Sequence, residues 1–418
     1  MPTPTLDAAT VADLTAVRDW LVAHRADLVA DLRTYVNLET PSNDKALLDK
    51  GLAWISDWIV SHLGPPAGTT RIGGGDRGDV LLLDYAGEGE RPVLLLCHYD
   101  TVWNAGTLNE WAFHDDGTKI TGPGAFDMKA GLVQLVWALH ALRELGLPRP
   151  PVRLLLNGDE ELGSTTSRSV IEEAAHDVAA VLVLEPSADA AVKTSRKGVG
   201  IFELDVTGVE AHAGLDPTKG ASAIHELARL IVALREFEDL EAGTSVSVGV
   251  VAGGTRTNVI AGHARATIDV RVSSQAEAAR VEAGLRGLTS SDPRISVVLG
   301  GGWNRPVMER TDEIAQMYQL ARQVADRIGF ELPETAAGGG SDGNFVAGWA
   351  LPLLDGLGPV GAGAHSRGEW VDVAAMPLRA ALVAGLLHVL RDDGRGKGTA
   401  QHSGVPADRL VAPDGATR

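Results

Sequence analysis

A single cysteine, Cys97, stands among 418 residues, so no intrachain disulfide framework can staple the chain, and the count leaves its redox compartment open. Positive charge is scarce as well. Lys and Arg number 37 against 55 Asp and Glu, for a formal net charge of −18. That field repels a polyanion and no local basic patch offsets it, so nucleic acid is not an expected partner. No apolar run approaches the roughly 18 residues that would begin to suggest a membrane span. Residues 1–5 lead into an acidic, helix-like stretch at 6–32 without a basic and then apolar leader. A cytoplasmic protein with no membrane partner is the expectation. Internal repeats are absent, and the glycine clusters 73–75 and 300–302 lack the setting of a phosphate loop and read as turns.

What is present is an ordinary globular composition, 44% hydrophobic and 22% charged, long enough for two or three domains. Residues 14–36 and 45–63 carry apolar side chains at helical spacing, with Trp20, Trp54 and Trp58 on the buried stripes. Short, nearly continuous apolar runs follow at 80–83, 93–97, 152–156 and 181–184. That pattern suits strands buried on both faces of a parallel, helix-covered sheet. Residues 128–145 predict an amphipathic helix closed by Gly146. From about residue 200 the rhythm changes to strands at 201–207, 245–251, 264–272 and 295–299, with helices at 221–236 and 275–288. The order β-α-β-β-α-β is that of a ferredoxin-like unit. Helical periodicity returns at 312–328 and 376–390. The fold class is therefore α/β: a discontinuous α/β domain, 1–198 and 307–391, with an α+β domain at 199–306 inserted. A Gly-, Asp-, Ala- and Pro-rich tail, 392–418, is expected to fray.

The informative residues follow the apolar runs. His98-Tyr99-Asp100 comes after one, Asn157-Gly158-Asp159-Glu160-Glu161 after another, Glu185-Pro186 after a third, and Asp127 precedes a helix. Each alone has a plain explanation as a turn, cap or loop charge. Together they are a cluster of carboxylates at the carboxyl edge of a sheet, where α/β sites form, and such clustering costs energy unless a cation or protons compensate. Imidazole plus carboxylate without thiol suits a catalytic divalent ion. His98 and Asp100 share one face of an extended segment, so Asp100 can orient the His98 ring. Adjacent Glu160 and Glu161 point apart, which leaves one free to bind metal and the other to move a proton.

His98-Tyr99-Asp100-Thr101-Val102, Gly122-Pro123-Gly124-Ala125-Phe126-Asp127-Met128-Lys129-Ala130-Gly131 and Asp159-Glu160-Glu161-Leu162-Gly163-Ser164 resemble the di-zinc metallopeptidase family of glutamate carboxypeptidase, acetylornithine deacetylase and succinyl-diaminopimelate desuccinylase. Glu185-Pro186, Ala211-His212-Ala213-Gly214 and Gly363-Ala364-His365-Ser366 also match, in order, over about residues 15 to 391. The resemblance implies two Zn²⁺ per subunit, with Co²⁺ or Mn²⁺ as alternatives. His98 and Glu185 would bind one ion, Glu161 and His365 the other, and Asp127 both. Asp100 would orient His98, and Glu160 would be the general base. The inserted domain would be a lid that also makes a homodimer, with His212 reaching the partner subunit's site to stabilise an oxyanion.

Within the family the glutamate carboxypeptidase type is resembled most. Glu at 185, where many di- and tripeptidases carry Asp, points away from an aminopeptidase. Lys193, Asn258 and Arg305 match positions that bind a substrate carboxylate, and Gly338-Gly339-Gly340-Ser341-Asp342 matches a substrate loop. Ala211, in place of a frequent Ser, and Gly343-Asn344-Phe345 depart from the pattern and leave side-chain preference open. The expected activity is hydrolysis of a small peptide or N-acyl amino acid that releases an amino acid with a free α-carboxylate. An N-acyl-amino-acid deacylase is the nearest alternative. An inactive metal-containing peptide-binding protein is a remoter one, and the intact Glu160 argues against it.

Overall fold

Val93, Leu95 and Cys97 alternate with Leu94 and Leu96 along the strand Val93–His98, and the two sets enter different cores. The strand Val152–Asn157 divides the same way, with Leu154 and Leu156 on one side and Leu155 on the other. So does Ala180–Val183. Strands apolar on both faces require cover on both. Helices Ala8–Ala23, Arg25–Val36, Lys45–Leu63, Ala130–Glu144, Asp312–Ile328 and Ala375–Leu390 supply one layer. Arg168–Ala174 and the segment around Phe345 and Leu351 supply the other. The computed structural model describes residues 6–391, so the tail expected at 392–418 lies outside the described residues.

The large sheet runs in the order Gly68–Ile72, Val80–Tyr85, Val152–Asn157, Val93–His98, Ala180–Val183, Leu353–Leu354. It is mixed, not parallel throughout: Val80–Tyr85 runs against both neighbours, and the strands beyond it pair parallel. The stretch between Gly68–Ile72 and Val80–Tyr85 is too short for a crossover, which leaves only a hairpin. The 14–36 stretch is two helices. His24 leaves helical geometry with its Nδ1 turned back to 2.8 Å from Trp20 O. At the end of Ala130–Glu144, Gly146 takes φ 64°. Its N–H bonds Arg143 O and that of Leu147 bonds Leu142 O, the paired closure a C′ glycine permits.

The second sheet runs Ser245–Gly253, His263–Val272, Gly198–Thr207, Ser296–Arg305, antiparallel throughout. With Ala223–Leu234 and Gln275–Arg286 the chain order is β-α-β-β-α-β, and both order and pairing are ferredoxin-like. Phe202, Leu204, Ile268, Val270, Leu227, Leu230 and Val281 form its own core. Gly300–Gly302, expected as a turn, lies inside the strand Ser296–Arg305. A Cβ on Gly301 would sit 2.2 Å from Ile201 O, so glycine there serves close pairing. Among the described residues, no helix is long and apolar enough to cross a membrane.

Candidate active site

Strand register brings the ligand-type residues together. His98 ends its strand opposite Asn157, and Leu96 pairs with Val183, so Glu185 comes level with His98. The chain passes from the His98 strand to its neighbour on one side and then over to Ala180–Val183 on the other. That reversal of direction opens the crevice in which α/β sheets bind ligands. Asp127 lies in the turn Ala125–Lys129 ahead of the helix Ala130–Glu144. That helix approaches the strand end so closely that a Cβ on Gly131 would lie 2.2 Å from Leu184 O. Glu160 and Glu161 begin a single turn, Glu160–Leu162, and His365 sits in a loop at φ 61°.

His98 Nε2 lies 3.3 Å from Asp127 Oδ1 and 3.5 Å from Glu185 Oε1. On the far side of the same carboxylate, His365 Nε2 lies 3.3 Å from Asp127 Oδ2 and 3.1 Å from Glu161 Oε2. Asp127 thus turns one oxygen to each imidazole. Ligand atoms of His98, Asp127 and Glu161 lie within 4.8 Å of one another, as do those of His98, Glu160 and Glu185. Despite these approaches, His98 Nε2, Asp127 Oδ1 and Glu161 Oε1 are buried without a hydrogen-bond partner. Buried polar atoms are normally satisfied. Such unpartnered imidazole and carboxylate atoms are what divalent cations with nitrogen and oxygen ligands would satisfy.

The titration behaviour agrees. Burial pushes Glu160 up to about 8 and Glu161 up to about 7. Hydrogen bonding to Asp127 and Glu161 lifts His365 to about 11. Burial opposes charge on His98, yet Asp100, Asp127 and Glu185 raise its pKa well above the usual imidazole value. Two acids driven towards neutrality, beside imidazoles that are driven towards charge and hold Asp127 low against its burial, mark a cluster short of positive charge.

Other side chains hold these ligands in place. The His98 Nδ1 atom finds the backbone oxygen of Asp100 at 3.1 Å, closer than the Asp100 carboxylate at 3.4 Å. That carboxylate instead accepts from Ser42 Oγ at 2.7 Å and from the amides of Glu160 and Glu161. Asp100 therefore joins the His98 strand to the Glu160 turn as well as orienting a ring. Glu369, fully buried, accepts from the amides of Gly124, Phe126 and Asp127 and from Trp103 Nε1. Arg196 clamps Asp355 through Nε at 2.6 Å and Nη2 at 2.9 Å, and approaches Glu185 Oε2 at 3.6 Å. Sequence inspection missed Glu369, Arg196 and Ser42. Their partners are backbone groups or residues far along the chain, and spacing carries no mark of either.

The residues expected to bind substrate are dispersed. Lys193 is buried close to the Arg196–Asp355 pair, and among the described residues its ammonium makes no hydrogen bond or ion pair. Arg305 is buried against Glu160 and Asp342. His212 and Asn258 are exposed on the second sheet's loops, which meet in an isolated bridge between His212 and Val259, and neither bonds to the His98 cluster. The His212 Nδ1 atom accepts the N–H groups of Gly214 and Leu215, both at 3.1 Å. In the neutral ring that leaves the proton on Nε2, facing outward as a donor.

A fold and site of this kind define a hydrolase of the metallopeptidase and amidohydrolase class. The model of peptidase family M20/M25/M40 matches residues 94–389, and the chain belongs to that family. Carboxypeptidase G2 of Pseudomonas sp. (strain RS-16) is 28% identical over 384 residues, spanning 88% of this chain and 90% of that protein. An acetylornithine deacetylase of Myxococcus xanthus is 28% identical over 309 residues, spanning 69% of this chain and 77% of that protein. Among solved structures, an M20 family metallo-carboxypeptidase from Sulfolobus solfataricus superposes with a TM-score of 0.67 at 15% identity, over 87% of this chain and 99% of that one.

Proposed function

We propose that this hydrolase is a zinc-dependent carboxypeptidase-type enzyme, which cleaves an amide bond to release an amino acid with a free α-carboxylate. The observation that carries this is Lys193, a largely buried side chain whose ammonium has no partner among the described residues. Burial and the neighbouring Arg196 lower its pKa, while Asp355, Glu185 and Asp127 oppose that shift. A buried cation beside the ligand cluster is suited to an incoming carboxylate. Likeness to carboxypeptidase G2 over most of both chains supports the same reading.

His98 and Glu185 would hold one ion, Glu161 and His365 the other, and Asp127 both; Co²⁺ and Mn²⁺ suit the same donors. Such ions, when bound, acidify a water towards neutral pH and polarise the scissile carbonyl. Glu160 takes a proton from the attacking water and returns it to the leaving amine nitrogen. Lys193 anchors the α-carboxylate. Residues 1–198 and 307–391 would form the catalytic domain. Residues 199–306 would form a lid and dimerisation domain that carries Asn258 and His212 to the partner subunit's site, where the His212 Nε2–H donates to the developing oxyanion.

A substrate panel tests the specificity. Charge-assisted bonds contribute about 1.5–3 kcal/mol. Amidating the free α-carboxylate of a good dipeptide or aryl-acyl substrate should therefore lower kcat/KM by roughly ten- to hundredfold. Equal hydrolysis of acid and amide would refute the carboxypeptidase reading and leave family membership intact. Preference for N-acetyl over peptidyl and aryl-acyl substrates would make it a deacylase.

The placement of His212 is tested separately. His212→Ala homodimers should be nearly inactive with unchanged metal content. Exchanging their protomers with Glu160→Gln subunits should regenerate some activity, because one composite site then has both groups. No recovery in demonstrated heterodimers would place His212 in its own chain's site or outside the chemistry.

A further inference from the structure

The guanidinium of Arg305 is heavily engaged, and its hydrogen-bond partners lie on the Glu160 turn and the residues just after it. Its Nη2 lies 2.9 Å from Glu160 Oε1 and 2.9 Å from Ser164 Oγ, and Nη1 lies 2.9 Å from Gly163 O. Asp342 Oδ1 stands 3.2 Å from the same Nη2. Asp342 is itself fixed by Ser164 Oγ at 2.5 Å and Asn157 Nδ2 at 2.8 Å. Phe345 closes one face, its ring centroid 4.3 Å from the guanidinium carbon, and Asn304 Nδ2 reinforces the grip on Gly163 O at 3.0 Å. The side chain is 4% exposed. A guanidinium bracketed by two carboxylates and capped by a ring offers little free edge to a substrate carboxylate.

We infer that Arg305 is a positioning residue for the general base: it grips one oxygen of Glu160, and the backbone beside it, so that the carboxylate is held in one orientation towards the reacting water. This rests on the reading of Glu160 as the base. It takes Arg305 out of the substrate-binding set, where its place in the sequence had put it, and leaves the α-carboxylate to Lys193. The geometry favours the division. Glu160 places a carboxylate oxygen within 4.8 Å of the ligand atoms of His98 and Glu185, and Arg305 holds that same carboxylate through Oε1. Without the bracket a glutamate side chain has several rotamers open to it, and only some point at the ions. Asp342 shares the guanidinium, so Glu160 is not the sole counter-charge of Arg305.

The experiment separates kcat from KM in metal-loaded Arg305→Ala and Arg305→Lys, with Glu160→Gln and the double variant Glu160→Gln/Arg305→Ala beside them. Arg305→Ala should lower kcat by roughly ten- to hundredfold with KM changed less than about threefold. Amidating the substrate's α-carboxylate should still cost it the wild-type factor, because Lys193 is untouched. Arg305→Lys should recover part of kcat, since an ammonium can still reach Glu160 Oε1. The double variant should be no slower than Glu160→Gln alone, because Arg305 then has no base to position. A rise in KM at unchanged kcat, or an Arg305→Ala enzyme indifferent to amidation, would show that Arg305 binds substrate and would overturn the inference. If Arg305→Ala does not fold, the KM and kcat of Arg305→Lys decide by the same criterion. Full activity in Glu160→Gln would remove the base assignment itself. An inactive Glu160→Gln beside an undiminished kcat in Arg305→Ala would sink only the role of Arg305.

Discussion

Glu160→Gln is expected to lower kcat by at least the roughly 10²–10⁴-fold typical of losing a general acid–base group, with metal content unchanged. The amide has the same size, and its oxygen can still accept from Arg305 Nη2, now 2.9 Å from Glu160 Oε1. It cannot take a proton from water or give one to the leaving nitrogen. Glu161→Gln, one residue along, should act differently. Its Oε2 faces His365 at 3.1 Å and its Oε1 is among the unpartnered buried atoms, so the amide should weaken occupancy of the ion that His365 shares. Activity of Glu161→Gln should return in part as metal is titrated in, whereas that of Glu160→Gln should not. Identical metal titrations for the two would show that the roles have been divided wrongly.

Removing the ions should abolish turnover almost completely, and added Zn²⁺, Co²⁺ or Mn²⁺ should restore it, with elemental analysis approaching two ions per chain at saturation. Stability should move too. A ligand that binds only the folded state at a hundred times its Kd stabilises it by about 2.7 kcal/mol. The unpartnered atoms of His98, Asp127 and Glu161 are the groups through which that gain would act. Thermal unfolding of the stripped protein should therefore shift upward as metal is added. His98→Ala, which removes a ligand from both close groupings, should blunt the shift. Full activity in protein verified to be metal-free would overturn the metal assignment.

The strands of the active-site edge were legible in sequence because each is a Val- and Leu-rich run that ends in a ligand-type residue, and burial on both faces leaves few other ways to place Val93–His98 or Val152–Asn157. Strand direction was not legible. The apolar pattern of Val80–Tyr85 is the same whichever way the strand runs, and only the short connection from Gly68–Ile72 makes it antiparallel. The glycines at 300–302 misled because composition cannot tell a turn from a strand whose neighbour passes too close for a Cβ. Within the site, His365 lies in an aperiodic loop and was found only through its family motif. Arg305 was singled out in the sequence as a substrate-binding residue, and the structure places it against Glu160 and Asp342. Which carboxylate it would meet depended on the fold of the Glu160–Leu162 turn, and no spacing encodes that.

The chain passes between its two sheets at adjacent crossings. Val199 pairs with Arg305 at the base of the second sheet, and Arg196 pairs with Met308 just beyond. The arginines at these crossings both approach carboxylates of the site, Arg196 reaching to 3.6 Å from Glu185 and Arg305 to 2.9 Å from Glu160. The connection between the two sheets and the support of these carboxylates are therefore made by the same short segments. A displacement of the smaller sheet about these crossings would be felt, through the two guanidinium groups, at both Glu185 and Glu160.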